Sequence, residues 1–329
     1  MMMPIEQTTQ NAVGRYLPIY LESLRLDSFL DFDLFIRSGD NLVLYRSSSL
    51  PFTEKARNLL LQNGVRTLYV PYESQDAYQR YIEVNLPNIV TDPSIKESVR
   101  AGIVYDSAKL LIRQVLSNPT LGENIQRSKE MVESTVAFVL TGQNAFHSML
   151  KVMSFDYSTY THSVNVCAFS VALARHIGLT NPLSLHVLGT GALLHDVGKT
   201  RISEDILNKT EPLTEEEMET IRMHPQWGYD IIHETNLISR ESYYPILQHH
   251  ERNDCSGYPG GMCCDDIHDY SKMVAIADVF DAMTTRRVYR PAIETFPALK
   301  VMFEQKNAFD QRLLAEFAQL LGPSHLGEL

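Results

Sequence analysis

The run VLGTGALLHDVGK, residues 187–199, decides the fold. Val187, Leu188, Ala192, Leu193 and Leu194 mark a buried helix. Gly198 is its expected stop. His195 and Asp196 then sit at the end of a buried element. An unpaired carboxylate is costly there, and either a metal ion or a His–Asp hydrogen bond inside the core would offset that cost. Taken alone, the pair leaves both readings open.

Working outward, helical periodicity governs everything past Asp92-Pro93. Ile103, Ala108, Leu111 and Val115 fit one helix, and Ile125, Met131, Val132 and Phe138 fit the next, with Asn118-Pro119 between them. Only helices and loops are expected from there to Leu321. The first ninety or so residues differ. Residues 32–37 and 41–45 read as strands around the turn Ser38-Gly39-Asp40. Thr53 caps a helix running through Gln62, with Ala56, Leu59 and Leu60 inward and Gly64 as its stop. Residues 67–70 form a short strand closed by Pro71. The expected fold is therefore an all-helical domain, residues 98–329, preceded by a small α/β domain, residues 1–97. Two domains suit a chain of 329 residues.

Composition narrows the function. A hydrophobic content of 44% supports an ordinary core. No stretch is long and apolar enough to cross a bilayer, and MMMPIEQTTQ lacks the features of a signal peptide, so a cytoplasmic protein with no membrane partner is expected. A net charge of −11 argues against a DNA or RNA polymer as partner, but a small anion needs only local cations. Cys167, Cys255, Cys263 and Cys264 form no CxxC pair and are expected to be reduced thiols.

The remaining histidines decide between the readings of His195-Asp196. His162 opens HSVNVCAFSVALARHIGL (162–179), whose remaining face is strongly apolar. His224 is placed at the close of a helix opened by a Thr214/Glu217 capping box. His249-His250 ends an apolar helix, and Asp278 follows the run MVAIA at 273–277. Five histidines and two aspartates at such positions favour a metal site over scattered core histidines. The mixed imidazole and carboxylate set suits iron or manganese.

With these residues in place, a resemblance is plain. YTHSVNV (160–166), LLHDVGK (193–199), ISEDILNK (202–209), LTEEE (213–217), HPQWGYDII (224–232), HHERNDCSGYPGG (249–261) and AIADVFDAMTTRRVYR (275–290) occur in the order found in one family. Across residues 98 to 323 the chain resembles the HD-GYP phosphodiesterases of bacterial cyclic-dinucleotide signalling, a branch of the HD metal-dependent phosphohydrolases.

The resemblance implies His162, His195, Asp196, His224, His249, His250 and Asp278 as metal ligands, with Asp196 bridging two ions. Seven ligands are too many for one ion that keeps open positions, so the count also points to two. Some family members hold a third metal through a glutamate four residues before the first histidine. Ser158 stands there in this chain, beside Asp156 and Tyr157, so two ions are expected.

The resemblance further implies that a hydroxide held between the ions attacks phosphorus, with Asp196 and Lys199 as catalytic residues. Lys199 would steady a phosphate oxygen, although a lysine there also suits a helix C-terminus. Arg287 and Arg290 would contact the substrate phosphates. The plainer reading of Arg286, Arg287 and Arg290 is a solvated basic face, and Pro291 replaces a residue that is often lysine. Asp281 reads as a supporting carboxylate rather than a ligand. Gly257-Tyr258-Pro259 resembles the family's signature loop, which shapes the site and docks partner proteins; Cys255 stands where glycine is more usual.

The implied activity is hydrolysis of cyclic di-GMP to pGpG and on to GMP, or of 3′,3′-cyclic GMP-AMP. Two other readings stand beside it: a sensor that binds the nucleotide without turnover, and an HD-type di-iron oxygenase, which would need neither Lys199 nor the two arginines. The N-terminal domain is expected to be regulatory. Homodimerisation and a protein partner at the Gly-Tyr-Pro loop stay open.

Overall fold

Turn chemistry and edge rules build the N-terminal sheet. The computed structural model describes residues 15–142, 144–153, 159–285, 292–305 and 307–322. Strands β1 (Tyr16–Tyr20), β2 (Leu34–Ser38), β3 (Asn41–Arg46) and β4 (Thr67–Pro71) form one antiparallel sheet in the order β1-β4-β2-β3. The β2–β3 hairpin turns at Gly39, whose φ of +62° costs glycine nothing. Strand β1 escapes sequence patterning because Pro18 interrupts it. Proline cannot donate to the ladder and is confined to edge strands, and β1 is an edge.

Helix α1 (Glu54–Gln62) starts as expected, with the Thr53 side chain accepting from the Ala56 N–H. It buries Ala56 and Leu60, but Leu59, expected inside, is 52% exposed. Successive helical residues are turned by about 100°, so a narrow buried stripe that holds Leu60 leaves out its neighbour. Helix α2 (Gln75–Thr91) was not foreseen; it buries Tyr78, Ile82, Leu86 and Ile89. The rings of Tyr78 and Tyr81 meet Phe32 edge-on, each at 5.6 Å.

The chain divides into two compact units, Met1–Ser107 and Ala108–Leu329. The division falls inside α3 (Glu97–Ser117) rather than before it. Beyond it run α4 (Gly122–Leu140), α5 (Ala145–Leu150), α6 (Thr159–His176), α7 (Pro182–Leu194), α8 (Glu204–Leu207), α9 (Glu215–Arg222), α10 (His224–Thr235), α11 (Tyr243–Gln248), α12 (Asp269–Thr284), α13 (Thr295–Glu304) and α14 (Gln311–Leu321). Among the described residues this unit holds no strand, only an isolated bridge between Asp254 and Cys263. The fold is thus mainly helical with a small N-terminal sheet. No described helix is long and apolar enough to cross a membrane.

Helix α6 is the axis of the second unit. Every residue from Thr161 to Ala174 is buried, against α4, α7, α12 and α14. Phe169 of α6, Phe280 of α12 and Phe317 of α14 pack edge to face, with centroids 5.3, 5.7 and 5.1 Å apart.

Three further expectations are corrected. Gly198 does not end α7, which stops at Leu194; it lies inside a 3₁₀ turn, Val197–Arg201. A Cβ on Gly198 would stand 1.9 Å from the His224 carbonyl oxygen and 2.5 Å from the Gly228 nitrogen, so glycine there permits backbone contact with α10. His224 does not close α9, whose Thr214/Glu217 capping box is present, but opens α10. The following Pro225 suits a first turn and no later one. Finally, Cys255 and Cys263 are joined by a disulfide, and only Cys167 and Cys264 are free. Their loop folds back on itself, a proximity that spacing alone did not announce.

Phe317→Ala should lower stability by roughly 3–5 kcal/mol, the usual cost of emptying an aromatic core position. Chemical denaturation measures it. A loss below about 1 kcal/mol would mean the cluster does not hold α14 in place.

Candidate metal centre

Three helix termini and two helix interiors bring the predicted ligand residues together. His195 caps the end of α7 and Asp196 follows it; His224 begins α10; His249 caps α11 and His250 follows it. His162 and Asp278 project from α6 and α12. His162, His195, Asp196, His224 and His249 are essentially without solvent exposure, and Asp278 is buried.

The geometry centres on Asp196. Its Oδ2 faces His195 Nε2 at 3.4 Å and His162 Nε2 at 3.7 Å. Its Oδ1 faces His224 Nε2 at 3.3 Å and His249 Nε2 at 3.8 Å. Asp278 spans the same divide, with Oδ1 3.0 Å from His162 Nε2 and Oδ2 3.8 Å from His250 Nδ1. Two groups of ligand atoms result, each within 4.8 Å of one another: His162, His195 and Asp196, and His224, His249 and His250.

The far side of the imidazoles explains their aim. Nδ1 of His195 lies 2.8 Å from the Ala192 carbonyl, that of His224 2.7 Å from Ile221, and that of His249 2.9 Å from Pro245. The last carbonyls of a helix lack intrahelical partners, so a histidine at a helix end finds an acceptor ready. A carbonyl can only accept, so Nδ1 donates, and Nε2 is the nitrogen whose lone pair the neutral ring offers to a metal. In all three, Nε2 points toward Asp196.

His162 uses a side chain instead. Its Nδ1 lies 2.7 Å from Asp281 Oδ2, and the Asn165 amide donates to Asp281 Oδ1 at 2.7 Å. Asp281 is fully buried. Asn165 and the three carbonyls escaped sequence reading. Asn165 lies within the motif YTHSVNV, but main-chain acceptors leave no sequence trace.

Electrostatics match a cation site. Burial pushes the Asp196 carboxyl upward, but Lys199 and His195 hold it well below the usual carboxylate range. Burial likewise opposes ionisation of Asp278, and the hydrogen bond to His162 overcomes it. Burial drives His249 and His250 well below the ordinary imidazole value, leaving them neutral as ligands must be. For His162 burial favours the neutral ring, yet Asp278 and Asp281 raise it well above that value. A metal ion must displace its proton. Lys199 Nζ lies 2.5 Å from Asp196 Oδ2.

The residues fit a metal by a further observation. His195 Nε2 and Asp196 Oδ1 are buried without any hydrogen-bond partner. Orphaned polar atoms in a core are costly; a cation beside His162 and His195 would satisfy His195 Nε2, and one beside His224 and His249 would satisfy Asp196 Oδ1. The clusters can bind divalent metal. Asp156, Tyr157, Ser158, Arg286, Arg287, Arg290 and Pro291 lie outside the described residues.

The Gly257-Tyr258-Pro259 loop closes one side. The Tyr258 ring stacks on His250 at 4.6 Å and meets His224 edge-on at 6.4 Å. A Cβ on Gly257 would stand 2.4–2.5 Å from the backbone of His250, Glu251 and Arg252, so only glycine fits. Buried Glu251 accepts from the Gly260 and Met262 N–H groups at 2.6 and 2.9 Å.

A helical unit carrying paired His/Asp clusters at its helix ends is the arrangement of an HD-type metal domain. The profile of the HD domain matches residues 142–313. The cyclic di-GMP phosphodiesterase PA4108 of Pseudomonas aeruginosa is 30% identical over 322 residues, 95% of this chain and 76% of that protein. The 3′3′-cGAMP-specific phosphodiesterase 3 of Vibrio cholerae is 31% identical over 167 residues, 50% of this chain and 36% of that protein. Bd1817, an HDG"Y"P protein from Bdellovibrio bacteriovorus, shares the fold at a TM-score of 0.65 and 22% identity, covering 93% of this chain and 99% of that one. The chain belongs to the HD-GYP branch of the HD domain family.

Asp281→Asn should weaken metal binding roughly 10–100-fold, the usual effect of losing the partner that orients a ligating histidine. Titration of metal-free protein with Mn²⁺ measures it; unchanged affinity would remove Asp281 from the site's support. Because His162 must lose a proton, affinity should be weaker at about pH 6 than at about pH 8. Equal affinity at both would contradict the proton displacement.

Proposed function

We propose that this protein is a metal-dependent phosphodiesterase that hydrolyses a cyclic dinucleotide. The observation that carries the reading is Asp196, with one carboxylate oxygen toward each histidine group. Such a carboxylate suits a pair of divalent ions, iron or manganese, held by His162, His195, Asp196, His224, His249, His250 and Asp278. Relatives named for cyclic di-GMP and for 3′3′-cGAMP support this substrate class. Paired ions supply a water nucleophile at neutral pH and offset phosphate charge.

The protein's own groups do the rest. Carbonyl-anchored imidazoles keep their lone pairs aimed inward without reorganisation, which is what preorganised electrostatic catalysis needs. Lys199, already at the ligand set, is the ammonium placed to hold a non-bridging phosphate oxygen. Arg287 and Arg290 are proposed as guanidinium partners of the phosphates, a role suited to their bidentate geometry. Tyr258 stacks on His250 and covers part of its ring. The product is pGpG for cyclic di-GMP, with further cleavage to GMP left open, or the linear form of 3′,3′-cyclic GMP-AMP. The N-terminal unit, which includes none of the predicted ligands among its described residues, is proposed to regulate the helical one.

Turnover of cyclic di-GMP and of 3′,3′-cyclic GMP-AMP should be followed side by side, under anaerobic Fe²⁺ and with Mn²⁺. One of the two is expected to be cleaved, and Asp196→Ala should lose activity by roughly 10³-fold or more together with its metal. Tight nucleotide binding without turnover in either metal would favour a sensor instead.

A further inference from the structure

The disulfide between Cys255 and Cys263 plays no part in the metal set, yet it closes the loop that covers it. The two cysteines are eight positions apart in sequence, and Gly257-Tyr258-Pro259 lies between them. Both are exposed, so the bond is open to attack from solvent. Cys255 has a φ of +65°, a left-handed conformation that a side chain with a Cβ seldom adopts. The covalent tie and the Asp254–Cys263 bridge hold it there.

The loop they fasten bears directly on the ligands. The Tyr258 ring stacks on His250, and the Tyr258 N–H donates to the His250 carbonyl at 3.2 Å. Without the disulfide, the Glu251 bonds to Gly260 and Met262 still anchor the far side of the loop. Among the described residues, the near side, from Cys255 to Tyr258, keeps the Asp254–Ser256 contacts, the Cys255-to-Arg252 and Tyr258-to-His250 main-chain bonds, the Asp254–Cys263 bridge and the ring contacts of Tyr258 with His250, His224 and Arg222, none of them covalent. Exposed disulfides are the labile class, exchanged by thiols far more readily than buried ones.

We infer that Cys255–Cys263 is a thiol-exchange site whose redox state sets how tightly the Gly-Tyr-Pro loop covers the His224–His249–His250 cluster. The substrate for exchange is a dithiol. Its thiolate attacks one cysteine sulfur, the S–S bond breaks, and a mixed disulfide forms. The second thiol of the reductant then displaces the remaining cysteine. The protein gains two electrons and two protons as two thiols, and the reductant leaves as its own disulfide. Oxidation reverses these steps. In the reduced form Cys255 leaves its left-handed conformation, Tyr258 loosens from His250, and a metal ion on that cluster is less well enclosed. This inference rests on the metal-centre reading.

The test uses the full chain loaded with Mn²⁺ and follows release of the ion to a coloured chelator, before and after reduction by a non-chelating phosphine. Reduction should speed release roughly tenfold, the low end of what loss of a supporting contact costs a metal site. Cys263→Ser removes the bond and leaves Cys255 free to relax as it does on reduction, so its release rate should match the reduced protein and ignore the phosphine. Equal release rates from oxidised and reduced wild type would overturn the switch alone. So would a thiol count showing all cysteines free in air-oxidised protein. Failure to bind Mn²⁺ before any reduction would overturn both the switch and the metal-centre reading.

Discussion

The whole second unit is arranged around one buried carboxylate. Asp196 is 1% exposed, ionised, and one of its oxygens has no hydrogen-bond partner. A charge so placed is tolerable only among compensating groups. Lys199 supplies one, and the imidazoles of His162, His195, His224 and His249 face the two oxygens in pairs. Carbonyls at the helix ends serve as acceptors for the Nδ1 atoms of His195, His224 and His249. Gly198 lets the turn carrying Asp196 touch the start of α10, which brings His224 within reach. Packing, helix termination and electrostatics therefore meet at a single side chain.

Much of this was legible in the sequence. Helical periodicity is a local property, so α3, α4, α6 and α7 could be read from their apolar spacing. The Thr53 cap and the Thr214/Glu217 box could be read because each joins groups three residues apart. What escaped depended on contacts distant in sequence. Strand β1 looks unsuitable until the sheet order makes it an edge. Gly198 reads as a helix stop until the His224 carbonyl appears beside it. The Cys255–Cys263 pairing is a choice among four cysteines that spacing does not make.

The ligand residue types and their buried settings were visible one by one, but only the family resemblance gathered them into a set before the geometry did. The structure places that set in two groups and adds Asn165, Glu251 and three carbonyl oxygens as its supports. It also changes the standing of the Gly-Tyr-Pro loop. Glycine at 257 is dictated by backbone contact, and Tyr258 is a physical wall against His250 rather than a family label alone. The loop's redox-accessible tie then becomes a means of adjusting that wall.

The central claim is that Asp196 divides its two oxygens between two ions. Anomalous diffraction from crystals grown with Mn²⁺ tests it most directly. Two peaks about 3.5–4 Å apart are predicted, one against His162 and His195 and the other against His224, His249 and His250, with the Asp196 carboxylate touching both. A single peak, or peaks that leave Asp196 without contact to both ions, would contradict the account.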